Sequence, residues 1–139
     1  MSSASQPKFV RWIGSAQEDL RALPDDVKDV FGYAIYLAQC GGKHDAAKPM
    51  KGFGGAGVLE VVDDFDGDTY RAVYTVKFAG IVYVLHAFQK KSKHGNATDQ
   101  TDVDLIQARL KRAAEDYKKT LGAPKQKSVV KKGKRSKRK

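Results

Sequence analysis

Cysteine is almost missing. The 139-residue chain has one, Cys40, which excludes an internal disulfide framework and fits a reducing cytoplasm. No apolar run is long enough to span a bilayer, and the N-terminus, MSSASQPKF, is too short and polar for a secretory signal. The chain is therefore expected to be cytoplasmic, with no membrane partner. The string GFGGAG is followed by no Gly-Lys-Ser/Thr and leads into a strand rather than a helix, so it is no nucleotide loop. No His, Cys, Asp or Glu cluster has metal-ligand spacing, and the acids from Asp63 to Asp68 lack the calcium-loop pattern. No metal or small-molecule cofactor is expected.

Acidic residues are absent from one place. Residues 123–139 hold nine of the 26 Lys and Arg and no Asp or Glu. The rest keeps 17 basic residues against 16 acidic, about +1 of the total +10. This terminal segment, APKQKSVVKKGKRSKRK, has too little apolar content to fold and is expected to be a disordered basic tail. Lys131, Lys132 and Arg135 lie in its densest part. Such a run binds polyanions through phosphate contacts and counterion release. It reads as an arm for RNA, DNA or ribosome; the plainer reading is a solubilising extension. Residues 1–122 are expected to form one domain, long enough for a core without staples.

What is present is periodicity. Ser15-Ala16-Gln17-Glu18 has the spacing of a capping box and predicts a short helix, ended by Pro24. Pro24-Asp25-Asp26 opens a second, whose apolar stripe is Val27, Val30, Phe31, Ala34, Ile35 and Ala38. Gly41-Gly42 stops it. Residues 43–57 read as a basic, glycine-rich loop carrying Lys43, His44, Lys48 and Lys51. A strand follows from Gly57 to Val62, then an acidic turn from Asp63 to Asp68. From Tyr70 to Lys93 two β-rich runs flank a short Ala79-Gly80 break, which predicts an antiparallel hairpin. A last helix starts near Thr101, with Val103, Ile106, Leu110, Ala113 and Tyr117 on one face, and stops at Gly122 and Pro124. With a weak strand at Phe9–Ile13 the order is β–α–α–β–β–β–α. The expectation is a small α+β domain, with helices on one face of an antiparallel sheet.

Two helices, a loop carrying KPMKGFG, the strand GVLEVV, then YRAVY, LHAFQKKS and a helix with Ala108-Arg109 resemble the RelE/ParE superfamily of bacterial toxins. The likeness is strongest to the HigB-like, phage-associated branch and covers Phe9 to Leu121. It implies a RelE-like fold and the toxin of a type II toxin–antitoxin system. The implied activity is that of a ribosome-dependent mRNA endonuclease, with a cognate antitoxin, the ribosome and mRNA as partners. Other classes stay open: a ParE-like gyrase poison, or a non-enzymatic nucleic-acid-binding protein. By motif position Arg71 matches the family arginine at the scissile phosphate, and Lys91 the basic residue ending the last strand. The family's two lysines on the preceding strand are replaced here by Glu60 and Val62.

Metal-free RNA cleavage needs a base for the 2′-hydroxyl, cations for the dianionic phosphorane and an acid for the leaving 5′-oxygen. Arg71 suits a bidentate phosphate clamp; the alternative is a salt bridge to Glu60 or to the acidic turn. Lys90 and Lys91 supply transition-state charge or edge protection. Alternation lets only one of them reach the site, and the resemblance backs Lys91. Glu60 is the candidate base, or Arg71's ion-pair partner. His94 is an exposed acid–base candidate, whereas His86 reads better as a core histidine and Tyr117 as helix packing. Lys48, Lys51 and Lys93 read as RNA contacts.

Overall fold

From Ile81 to Ala87 every side chain is buried and all but His86 are apolar, so both faces of the sheet need cover. The computed structural model describes residues 7–54, 57–90 and 98–122. In chain order they form β1 (Phe9–Trp12), α1 (Ala16–Arg21), α2 (Asp25–Gln39), β2 (Ala47–Pro49), β3 (Val58–Phe65), β4 (Asp68–Thr75), β5 (Ile81–Gln89) and α3 (Gln100–Gly122). One five-stranded sheet has the order β1-β5-β4-β3-β2. Neighbours from β5 to β2 are antiparallel, and β1 joins β5 in parallel at one edge.

The α+β class stands, with helices on both faces instead of the expected one. On the first face Val61, Ala72, Tyr74, Val82, Val84 and Ala87 pack with Leu20 of α1 and with Val27, Phe31, Ala34, Ile35 and Ala38 of α2. On the second Val58, Val73, Tyr83 and Leu85 pack with Ile106 and Ala113 of α3. The physical reason is visible in IVYVL: a continuous apolar run marks a strand covered on both sides, where strict alternation marks one wet face.

Local chemistry moves several boundaries. The segment 43–57, read as loop, contains β2, held by antiparallel pairing to β3. The acidic turn shrinks to Asp66-Gly67, with φ of 54° and 86°, the two-residue form whose twist suits a hairpin. Its flanking acids lie in β3 and β4. The expected break at Ala79-Gly80 is a longer connection, residues 76–80, because Phe78 turns inward into the second core. The capping box is not formed. Helix α1 begins where expected, yet the Ser15 hydroxyl donates to Asp19 Oδ2 at 2.7 Å and accepts from Arg109 Nη2 at 3.1 Å.

A shift of register between β4 and β5 positions the second face. Val73 pairs with His86 but Tyr74 with Val84, so Leu85 is an extra residue. Arg109 Nη1 donates to the Leu85 carbonyl at 2.9 Å, and so fastens α3 to the bulge. No described helix is long and apolar enough to cross a membrane. The expected tail, residues 123–139, lies outside the described residues.

Candidate functional site

Cross-strand register brings the charged residues together. Lys48 pairs with Glu60, Glu60 with Val73, and Val73 with His86. Directly opposed strand residues share a face, so these four form a row across the sheet, on the side that α3 covers. Val62, Arg71 and Phe88 form the next row. Helix α3 begins only at Gln100, so it leaves the sheet beside Arg71 and Glu60 open. The result is a cleft of about 470 Å³ lined by Lys48, Pro49, Met50, Lys51, Glu60, Arg71, Thr98 and Val103. That volume is in the range of small-ligand sites.

At its floor Arg71 is 3% exposed and Glu60 7%. Arg71 Nη1 lies 3.1 Å from Glu60 Oε2 and donates to Thr98 Oγ1 at 2.9 Å. The alternative reading of Arg71, an ion pair with Glu60, is realised, and the pair lies in a cleft. A buried ion pair is a weak source of stability, since desolvation offsets most of the Coulomb gain. Here the pair lies among the residues that line the cleft. Three cations, Lys48, Lys51 and Arg71, stand against one carboxylate among the lining residues. This arrangement attracts an anion and sets a carboxylate beside it.

The other sequence candidates sort as follows. Lys90 follows β5, its N–H bonded to the Thr69 carbonyl at 2.8 Å; it is not among the lining residues of the cleft. Alternation counted from the Arg71–Phe88 pair puts Lys90 on Arg71's face. Lys91, Lys93 and His94 lie outside the described residues, as do Lys131, Lys132 and Arg135. His86 is buried, its Nε2 2.9 Å from Asp102 Oδ1 and its ring stacked on Phe88 at 4.4 Å. Burial pulls its pKa below the ordinary histidine value, against the opposing pull of Asp102, so it is neutral at pH 7. It is the core histidine that its sequence position favours. Tyr117 packs on Phe78 and donates to the Ala79 carbonyl, again as expected.

Thr98 was not singled out from sequence, and nothing in its local pattern marks it. Its role comes from standing just before α3, where the chain returns to the sheet. Among the described residues no group of three or more His, Cys, Asp or Glu is arranged to hold a metal.

A family profile described as phage derived protein Gp49-like matches residues 18–111, a span that includes every residue lining the cleft. Among solved structures, the toxin–antitoxin complex RelBE2 from Mycobacterium tuberculosis is similar at 20% sequence identity and a TM-score of 0.43. That alignment covers 60% of this chain and 98% of the other. No curated protein matches the chain.

Proposed function

Since the chain belongs to the phage-derived Gp49-like family, a RelE/HigB-type toxin family, we propose that it is the toxin of a type II pair and cleaves mRNA on the ribosome. The observation that carries the reading is the Arg71–Glu60 pair at the floor of a cleft rimmed by lysines. Arg71 clamps the scissile phosphate, exchanging its carboxylate partner for a phosphate oxygen. The Glu60 carboxylate, released beside it, takes the proton of the 2′-hydroxyl. The 2′-oxygen attacks phosphorus, the bond to the 5′-oxygen breaks, and a 2′,3′-cyclic phosphate forms without a metal. Lys90, which follows β5, and Lys91 and His94, which lie outside the described residues, are the remaining candidates for transition-state charge and for protonating the leaving oxygen. The resemblance backs Lys91 and strand alternation backs Lys90. Lys51, Lys93 and the tail residues Lys131, Lys132 and Arg135 hold flanking RNA or ribosomal RNA. The partner that silences the protein is a cognate antitoxin, and its place of action is the cytoplasm.

Brief expression followed by sequencing of RNA ends tests this. The expected result is cuts inside translated codons, and none with folded Arg71→Ala. Folded Arg71→Ala that cuts as the parent does overturns the site; a DNA-damage response without cuts points to gyrase instead.

A further inference from the structure

Strand β2 was invisible as a strand in the sequence, and its pairing changes what Lys48 can do. We propose that Lys48 is a catalytic cation, the second positive charge on the phosphorane, and not one more tether for RNA. This rests on the endonuclease reading of the same cleft.

Three observations carry it. Lys48 lies in the β2–β3 ladder directly opposite Glu60, so its backbone is fixed relative to the proposed base. Lys51 lines the same cleft but follows β2, in the turn that begins after Met50. It has no such register. Arg71 reaches the cleft from the other side of Glu60, through β4. The carboxylate therefore stands between a cation on each neighbouring strand.

The chemistry asks for this. In the ground state the phosphodiester carries one negative charge; after 2′-oxygen attack the phosphorane carries two. Arg71, once it has exchanged Glu60 for a phosphate oxygen, supplies one positive charge and is also bonded to Thr98. A cation held at a set distance, with little reorganisation, acts on the charge that develops in the transition state. A lysine on a turn outside the ladder, as Lys51 is, contributes to binding in ground and transition state alike, which does not raise the saturated rate. Through the step Glu60 gains the proton of the 2′-hydroxyl and the 2′-oxygen–phosphorus bond forms. The phosphorus–5′-oxygen bond breaks and the leaving oxygen takes a proton from the general acid, for which Lys90, Lys91 and His94 are the candidates. Lys48 keeps its proton throughout.

Single-turnover cleavage on programmed ribosomes, titrated to saturation, tests the assignment with Lys48→Met, Lys48→Arg, Lys51→Met and Arg71→Ala. Lys48 is exposed, so its substitution leaves the core untouched. Lys48→Met is expected to lower the saturated rate about 100-fold, the scale for losing one preorganised group. Its half-saturating ribosome concentration should move by less than about threefold, and Lys48→Arg should recover most of the rate. Lys51→Met should do the opposite, with weaker binding and an unchanged saturated rate. If Lys48→Met only weakens binding, as Lys51→Met does, the inference is overturned while the reading of the cleft survives. If Arg71→Ala cuts at the parental rate, the reading of the cleft fails, and this inference with it.

Discussion

Gly14 and His86 show how single residues hold the second face of the sheet. Gly14 has φ +59°, and a Cβ there would stand 2.9 Å from Arg109 Nε. Gly14→Ala therefore meets a left-handed backbone and the guanidinium that fastens α3. The expected loss is about 1–3 kcal/mol, read as a lower urea midpoint. His86 gives a pH signature. Its folded-state pKa is held below the usual value of about 6.5 by burial, assisted by Arg109 and opposed by Asp102 and Asp19. Below that usual value the unfolded chain binds a proton that the folded chain resists. The stability due to the neutral ring is complete above about pH 6.5 and is lost as pH falls toward the lower folded value. Melting temperatures from pH 7.5 to 5 should fall more steeply for the parent than for His86→Gln; parallel curves would show that the ring does not titrate this way. At this scale the sequence was a good guide. The resemblance marked Arg71, and an ion pair with Glu60 was its alternative role; that pair is formed. The sequence did not mark Thr98, since a threonine before a helix is ordinary until the fold brings it to Arg71.

At the scale of elements, long periodic segments were legible and short ones were not. The stripe of α2 is buried as expected at Val27, Phe31, Ala34, Ile35 and Ala38. Strand β2 escaped because Ala47–Pro49 is three residues long, too short to show a period, and ends on a proline that only an edge strand tolerates. The two-sided cover of the sheet also escaped, since the apolar run in β5 does not say on which side each helix lies. One carboxylate ties three elements together. Asp116 of α3 accepts from the Tyr83 hydroxyl of β5 at 2.7 Å and from Arg11 of β1 at 3.0 Å. Tyr83 is fully buried, and Arg11 is half exposed. Asp116→Ala should therefore cost about 1–3 kcal/mol, mostly for the stranded hydroxyl, whereas Arg11→Ala costs under about 1 kcal/mol. Equilibrium unfolding of both variants, and of Asp116→Ala combined with Tyr83→Phe, checks the division. The double variant should recover part of the loss.

For the whole molecule, residues 123–139 have almost nothing apolar to bury. Deleting residues 123–139 is accordingly expected to leave the melting temperature unchanged. It should lower affinity for ribosomes and flatten its salt dependence, because up to nine cations are removed. A truncated chain that melts markedly earlier would mean that the tail packs on the domain; one whose turnover saturating ribosome cannot restore would place chemistry in the tail. Composition alone isolates this segment by its charge.

The parallel edge pairing has a consequence in time. Phe9 is matched with Ile81, about seventy positions later, and no other described strand borders β1. Strand β1 is thus made before every other described strand, and its partner β5 is the last described strand to emerge. At about 5–20 residues per second that wait lasts seconds. Closing so long a loop also carries an entropic cost before any contact rewards it. The cleft itself requires β3, β4 and the residues leading into α3. A chain still under synthesis through β4 lacks both its edge pairing and the full lining of the cleft.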